Sequence, residues 1–89
     1  MLEKVVEAHL AKRVKELGGV CWKLPAQWYR NIPDRLVLLP GGGVHFIELK
    51  RPGGKAREGQ ERMGRMLVDM GFNWTVIDTK EGIDAYFDI

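Results

Sequence analysis

The chain has one cysteine, Cys21, and two histidines, His9 and His45, and it lacks any apolar run of membrane-spanning length. A single cysteine excludes an internal disulfide and a cysteine-rich zinc site, and neither histidine belongs to a cluster of metal ligands. Cys21 is predicted to be a small core residue. Residues 1–4 lead directly into an amphipathic pattern, with no signal or transit peptide visible. We therefore expect a cytoplasmic protein with no membrane partner.

The composition indicates one compact α/β domain over residues 1–89, because 45% of the residues are hydrophobic and eleven glycines supply tight turns. The net charge of +2 and the pI of about 8.9 permit nucleic-acid binding without demonstrating it. Local placement of charge is therefore more informative than the total.

Apolar periodicity predicts the order αβββαβ(α), with a mixed four-stranded sheet flanked by helices. The three strands after the first helix should form an antiparallel meander, and a crossover should return the last strand parallel to its partner. Gly18–Gly19 should end the first helix, and Gly71 should end the second. The expected inward residues are Leu2, Val6, Leu10, Val14 and Leu17, with Val5 beside them, in the first helix, and Met63, Met66, Leu67 and Met70 in the second helix, residues 58–70. The remaining predicted elements are strands over residues 20–24, 36–39, 44–49 and 73–78, and a short helix over 83–87 behind a capping-box-like sequence at 78–81.

The hairpin around Pro40-Gly41-Gly42-Gly43 carries the most chemical information. If its turn is symmetric about Gly41, Asp34 lies opposite Glu48, and alternation places Lys50 on the face of Glu48. Both strands are apolar on their two sides, which is typical of central strands. Two carboxylates and one lysine should therefore converge at one end of the hairpin.

A divalent cation would relieve the repulsion between Asp34 and Glu48, which continue an apolar stripe where an isolated charge is costly. Oxygen ligands of this kind suit Mg²⁺ or Mn²⁺ better than zinc. The alternative is a solvated Glu/Lys ladder at the rim of the sheet, since Glu-x-Lys is a common tripeptide in a chain with this much charge. The matching position of Asp34 favours the metal site.

A basic segment follows the Glu-x-Lys strand. Cations beside an acidic metal pocket suit phosphodiester cleavage, because they hold the backbone while carboxylates hold the metal. A solvated helix face, partly neutralised by Glu58 and Glu61, is the alternative interpretation. The basic residues are Lys50, Arg51, Lys55, Arg57, Arg62 and Arg65.

Taken in order, Glu7, Pro33-Asp34, Glu48-Leu49-Lys50 and Gln60 resemble the PD-(D/E)XK nuclease superfamily, and specifically the stand-alone viral and bacterial members of the VRR-NUC (virus-type replication-repair nuclease) family. The resemblance spans nearly the whole chain and implies a restriction-endonuclease-like core. It also implies a homodimer that cleaves branched DNA, notably four-way (Holliday) junctions, in a bacterial or phage-infected cell during DNA repair.

Carried over by position, the resemblance implies that Asp34, Glu48 and the backbone carbonyl of Leu49 bind Mg²⁺ or Mn²⁺. Glu7 would reach the metal from the first helix, through water. Periodicity alone does not distinguish Glu7 from Glu3. Lys50 would orient the attacking water. Gln60, at the start of the second helix, would hold Lys50 or the substrate.

The chain departs from its relatives at two places. Asn31 stands where glycine is frequent, and asparagine is the residue that best tolerates positive φ in its place. Trp28-Tyr29 stands where small or basic residues are usual. These aromatics could stack on unpaired bases, pack at a dimer interface, or close the local core, and we favour the first two roles. Together with Arg30 they extend the predicted DNA-binding surface.

The leading functional prediction is a structure-selective, metal-dependent DNA endonuclease. The alternatives are a non-catalytic DNA-binding module of the same fold and a general nuclease targeted by a partner. A sequence-specific restriction enzyme is disfavoured, because little chain remains outside the core to read bases.

Overall fold

The computed structural model describes residues 3–88. Leu2, predicted to join the inner face of the first helix, lies outside the described residues. The secondary structure follows the predicted order. The elements are α1 (Glu3–Glu16), β1 (Val20–Lys23), β2 (Arg35–Leu39), β3 (Gly43–Leu49), α2 (Glu58–Asp69), β4 (Asn73–Ile77) and α3 (Lys80–Tyr86).

The four strands form one mixed sheet in the order β1-β2-β3-β4. The first three strands are antiparallel neighbours, and β4 returns parallel to β3 after the α2 crossover. The predicted meander, crossover and fold class are therefore confirmed. β2 and β3 lie in the middle of the sheet, as their two-sided apolar pattern predicts. Val37 and Ile47 on one face are fully buried, whereas Leu36 and Phe46 on the other face are half-buried.

The turn between β2 and β3 sets the register. Gly41 and Gly42 adopt φ of 90° and 91°, which glycine tolerates best, and Gly42 N–H donates to Leu39 O at 3.2 Å. Arg35 then pairs with Ile47 and Val37 with His45, which is the register that symmetry about Gly41 predicts. The next residue pair in the same register is Asp34 and Glu48, which therefore lie opposite each other.

The main core lies between the sheet and the pair α1 and α3. His9 and Arg13 on α1 both donate to the carboxylate of Asp84 on α3, at 2.8 and 3.1 Å, which ties the two helices together. The buried side chains of this core are Val6, Leu10, Val14, Val37, Ile47, Leu49, Ile77 and Ile83. The prediction for α1 is confirmed at its central positions but not at Val5 and Leu17, which are exposed.

Helix α2 covers the other face of the sheet, and here the predicted inward residues need correction. Met66 and Met70 are exposed, and Met63 is only half-buried. Leu67 is buried as predicted, and the other buried positions of α2 are Gln60 and Gly64. Gly64 faces inward because the ring of Trp74 on β4 occupies the space beside it: a Cβ at residue 64 would lie 2.2 Å from ring atoms. The buried face of α2 therefore differs from the predicted one, because the large side chain of Trp74 on β4 packs against Gly64.

The ends of the elements agree with most of the predicted signals. Gly18 and Gly71 have positive φ and follow the ends of α1 and α2. Helix α3 begins earlier than predicted, with the Thr79 hydroxyl accepting the N–H of Gly82 at 2.9 Å. Cys21, predicted to be a core residue, is half-buried on the edge strand β1. Among the described residues, no helix is long and apolar enough to cross a membrane.

Candidate active site

Asp34 and Glu48 meet at the end of the β2–β3 hairpin. One carboxylate oxygen of Asp34 accepts the backbone N–H of Leu49 at 2.8 Å. This bond holds the carboxylate of Asp34 against the last residues of β3. The two acidic side chains that the hairpin register predicts to be neighbours are neighbours in the structure.

Glu48 is fully buried, with no exposed surface. Its Oε1 accepts a hydrogen bond, whereas its buried Oε2 has no hydrogen-bond partner among residues 3–88. Burial raises the pKa of Glu48 from 4.5 to about 7, and the nearby negative charge of Asp34 adds to the shift. A buried carboxylate with an unpartnered oxygen beside a second carboxylate is an unfavourable arrangement unless a cation or proton joins it.

Gln60 on α2 holds Glu48 in place. The side-chain amide of Gln60 donates from Nε2 to Glu48 Oε1 at 3.2 Å, while its Oε1 accepts the backbone N–H of Arg57 at 2.9 Å. Because a backbone N–H can only donate, the second bond fixes which end of the amide faces Glu48. Gln60 thus links the start of α2 to Glu48. The role toward Lys50 or the substrate that the family resemblance implies stays a prediction.

Lys50 follows β3 directly, and its backbone N–H donates to Ile77 O at 3.0 Å. Strand alternation places its side chain on the face of Glu48. Its positive charge acts against the upward shift of the Glu48 pKa. Lys50 is therefore close enough to Glu48 to offset part of its charge.

Glu7 lies on the opposite side of the sheet from Glu48. Its Oε2 pairs with Arg35 Nη2 at 2.8 Å, and Arg35 is almost fully buried. Arg35 also donates to the backbone oxygen of Asp34 at 3.1 Å. Arg35 faces the same side as Ile47, its partner across the sheet, so the contact between Glu7 and the acidic pair passes through Arg35 and the backbone. A role for Glu7 through water at a metal stays a prediction.

The residues at this site fit a divalent cation of the Mg²⁺ or Mn²⁺ type. Within residues 3–88 no group of three or more His, Cys, Asp or Glu side chains is placed to hold a metal ion. The candidate ligands are therefore two carboxylates, from Asp34 and Glu48, with the Leu49 carbonyl as the third oxygen that the resemblance implies. Such a sparse oxygen set suits a cation that keeps several waters. The unpartnered Glu48 Oε2 is the atom that such a cation would satisfy.

A groove opens on the α2 side of the sheet, between residues 30–31 and the start of α2. It contains a cavity of about 480 Å³ lined by Arg30, Arg57 and Arg62, among others. We call it the loop–helix groove. Three of the arginines and lysines predicted to bind DNA thus share one surface. Lys55 and Arg51 lie on the exposed loop after β3, which is held by a hydrogen bond from Gly53 N–H to the carboxylate of Asp78 at 2.9 Å.

The loop before Asp34 has the geometry that its sequence predicts. Asn31 has φ of 66°, the left-handed conformation that asparagine accepts more readily than most residues. Trp28 and Tyr29 are 73% and 65% exposed, so neither closes the local core. The DNA and dimer roles for these aromatics remain as predictions.

Comparisons with known proteins test the nuclease family that the sequence resembles. No family model matches the sequence. A protein named "Putative nuclease p44", from Acyrthosiphon pisum secondary endosymbiont phage 1, is 37% identical over 79 residues, which are 89% of this chain and 85% of that protein. A solved structure described as "VRR_NUC domain" has a TM-score of 0.89 and 29% sequence identity, and the match covers 97% of this chain and 94% of that one. The chain belongs to the VRR-NUC family of nucleases.

Two contacts of this VRR-NUC chain were missed by the sequence interpretation. The first is the buried Arg35–Glu7 pair, which alternation could have revealed, because Arg35 shares the inward face of Val37. The second is the bond from Gln60 to Glu48. Its only sequence signal is a glutamine at the third position of a helix, and that signal cannot specify a partner on a distant strand.

Proposed function

We propose that this chain is a Mg²⁺- or Mn²⁺-dependent endonuclease that hydrolyses phosphodiester bonds in branched DNA and resolves four-way junctions as a homodimer. The observation that carries the proposal is the buried, unpartnered Oε2 of Glu48 beside Asp34. A nuclease of this type would act in the cytoplasm of a bacterial or phage-infected cell, which agrees with the phage origin of its relative.

In this mechanism Asp34, Glu48 and the Leu49 carbonyl hold the cation, and Gln60 keeps Glu48 oriented. When bound there, a divalent cation lowers the pKa of water and neutralises charge on the scissile phosphate. Lys50 orients the attacking water and offsets negative charge that develops on the phosphate oxygens. In-line attack displaces the 3′ oxygen, so the expected products carry 5′-phosphate and 3′-hydroxyl ends.

The proposed substrate is supported by the charge beside the site. Arg30, Arg57 and Arg62 line the loop–helix groove on the α2 side of the sheet, which is also the side of Glu48. Arginine binds phosphate oxygens through paired N–H groups, and several such contacts hold a strand against the site. This placement favours a substrate whose backbone passes along the groove.

The proposed homodimer is supported by the number of cuts that junction resolution requires. One acidic site cuts one strand at a time, whereas resolution of a junction requires cuts in two related strands. A C2 dimer would present two sites to the two related strands of a junction. Sedimentation velocity at micromolar concentration tests this: a monomer that stays monomeric on added junction DNA would contradict it.

The deciding experiment is cleavage of labelled four-way junction, flap, linear duplex and single strand, each with Mg²⁺, Mn²⁺ or chelator. Glu48→Gln is the inactive control, because it keeps the hydrogen bond from Gln60 and removes the charge. Paired symmetric cuts in the junction alone are expected. Cutting of every substrate would instead indicate a general nuclease targeted by a partner, and tight binding without metal-dependent cutting would indicate a non-catalytic module.

A further inference from the structure

The loop–helix groove has a second, less polar part beside its three arginines. This part is a cavity of about 340 Å³, within the range of roughly 300–1,000 Å³ typical of small-ligand sites. Its apolar wall is formed by Tyr29 from the loop and by Met63 and Met66 from α2. The two cavities share Arg30 and Arg62, so they are parts of one groove. The groove is therefore cationic toward the start of α2 and apolar farther along that helix.

The floor of the groove is closely packed. The side chain of Asn31 lies against Gly59, where an added Cβ would come within 2.5 Å of the Asn31 amide nitrogen. Both residues line both cavities. Asn31 is held in the left-handed conformation three residues before Asp34, and Gly59 directly precedes Gln60. The groove floor is thus built from Gly59, which is adjacent to Gln60 in the chain, and from Asn31, which lies in the loop that leads to Asp34.

The apolar wall suits a flat, aromatic ligand. Tyr29 is 65% exposed and offers a π-face, while methionine side chains adapt to irregular surfaces. A nucleobase stacks on such a surface with little dependence on its identity. Bases in intact duplex are already stacked on their neighbours, so only an unpaired base could enter.

The arginines suit the phosphate next to such a base. Among the residues that the structure describes, Arg30 and Arg57 form no ion pair. Arg62 pairs with Glu58 at 2.9 Å, but both side chains are mostly exposed, so the pair is weak and can exchange for a phosphate. Charge and shape therefore complement a nucleotide rather than an apolar peptide.

We propose that the loop–helix groove binds an unpaired nucleotide, with its base against Tyr29 and the methionines and its phosphate on Arg30, Arg57 and Arg62. This inference rests on the proposed nuclease function for its biological meaning, but the binding itself does not require cleavage. Gly59 lines the groove and is followed in α2 by Gln60, which bonds Glu48, so the first turn of α2 connects the groove to the acidic pair. Branched DNA offers unpaired nucleotides at its branch point, and linear duplex does not, so the groove supplies a physical basis for structure selectivity.

Binding is best measured in chelator, where no metal-dependent cleavage occurs. The probes are a short fluorescein-labelled oligothymidylate and an abasic strand of equal length, followed by fluorescence anisotropy. Tyr29→Ala should weaken binding of the oligothymidylate roughly tenfold and leave the abasic strand nearly unaffected. Tyr29→Phe should retain most of the affinity, because it keeps the ring. Trp22→Ala is the matched control, since Trp22 is also exposed but lies on the edge strand β1.

A second pair of variants tests the phosphate contact. Arg62→Gln should weaken both probes and lower the slope of log K against log salt by about 0.7 for each lost phosphate contact. Arg65→Gln is the matched control: Arg65 is 65% exposed against 62% for Arg62, and it also pairs with a glutamate four residues earlier on α2. Arg65 does not line either cavity of the groove. An equal loss of affinity in the two variants would overturn the phosphate assignment.

Other outcomes overturn the proposal or separate it from the nuclease proposal. If Tyr29→Ala binds the oligothymidylate like Trp22→Ala, the base does not occupy the groove. If Tyr29→Ala changes the sedimentation coefficient of the free protein and leaves DNA binding intact, the groove holds a second copy of the chain. Failure of wild-type protein to cut any DNA, with base-dependent binding intact, would refute the nuclease proposal and leave the groove assignment standing.

Discussion

Replacement of Glu48 by glutamine should stabilise the metal-free protein while it removes activity. Burial and the charge of Asp34 raise the pKa of Glu48 from 4.5 to about 7, so the ionised form disfavours the folded state. The folded-state pKa lies above the unfolded value, and therefore no penalty exists below about pH 4.5. The penalty grows between pH 4.5 and 7 and is complete above pH 7.

The size of this penalty follows from the shift in the pKa of Glu48. Each pKa unit corresponds to about 1.4 kcal/mol, so the full penalty is roughly 3 kcal/mol. Glu48→Gln should therefore gain up to about 3 kcal/mol in the free energy of unfolding at pH 8 and almost nothing near pH 4. The new amide can still accept the hydrogen bond from Gln60, and its NH₂ group can donate toward Asp34, so little is lost in exchange.

Urea unfolding in chelator, followed by tryptophan fluorescence across this pH range, measures the effect. Glu81→Gln is the control, because Glu81 is exposed on α3 and should change the free energy by a few tenths of a kcal/mol at most. With saturating Mg²⁺ or Mn²⁺ the wild-type protein should become more stable than Glu48→Gln, since only the wild-type protein gains binding energy from the cation. A metal-free Glu48→Gln variant that is less stable than wild type at pH 8, or a gain that does not vary with pH, would refute the reasoning.

Three further predictions concern neighbouring residues. Lys50→Ala should abolish junction cleavage in a gel assay while junction affinity and melting temperature stay close to wild type; retained cleavage would contradict the role of its charge. Gln60→Ala should raise the Mn²⁺ concentration needed for half-maximal cleavage, because Glu48 loses the bond that orients it; an unchanged metal requirement would argue against that role. Gly64→Ala should lower the free energy of urea unfolding by about 1–3 kcal/mol, because its Cβ would overlap the ring of Trp74. The opposite sign, as expected for alanine in an unobstructed helix, would show that the tryptophan moves aside.

The meeting of Asp34 and Glu48 was predictable because it depends on a local hairpin. Two consecutive glycines fix the turn, the turn fixes the register, and the register brings Asp34 to Glu48 without information from the rest of the chain. The positive φ of Asn31 was predictable for the same reason, since it is a property of one residue type in a local conformation.

The packing of α2 was less predictable because it depends on long-range contacts. An apolar periodicity would bury Met66 and Met70, but the bulk of Trp74 favours Gly64 at the contact and turns those methionines outward. The same orientation of α2 places Gln60 against Glu48. The sequence alone does not show whether Gln60 bonds Glu48 or Lys50. Met66 is thereby left free to line the loop–helix groove.

The most direct test of the central claim is a Mn²⁺ titration followed by electron paramagnetic resonance of the free ion, without DNA. If Asp34 and Glu48 together hold the cation, wild-type protein should remove Mn²⁺ from solution at a defined site, and both Asp34→Asn and Glu48→Gln should lose that binding. Glu58→Gln should bind as wild type does, because Glu58 is exposed on α2. Unchanged Mn²⁺ binding in Glu48→Gln would contradict the account.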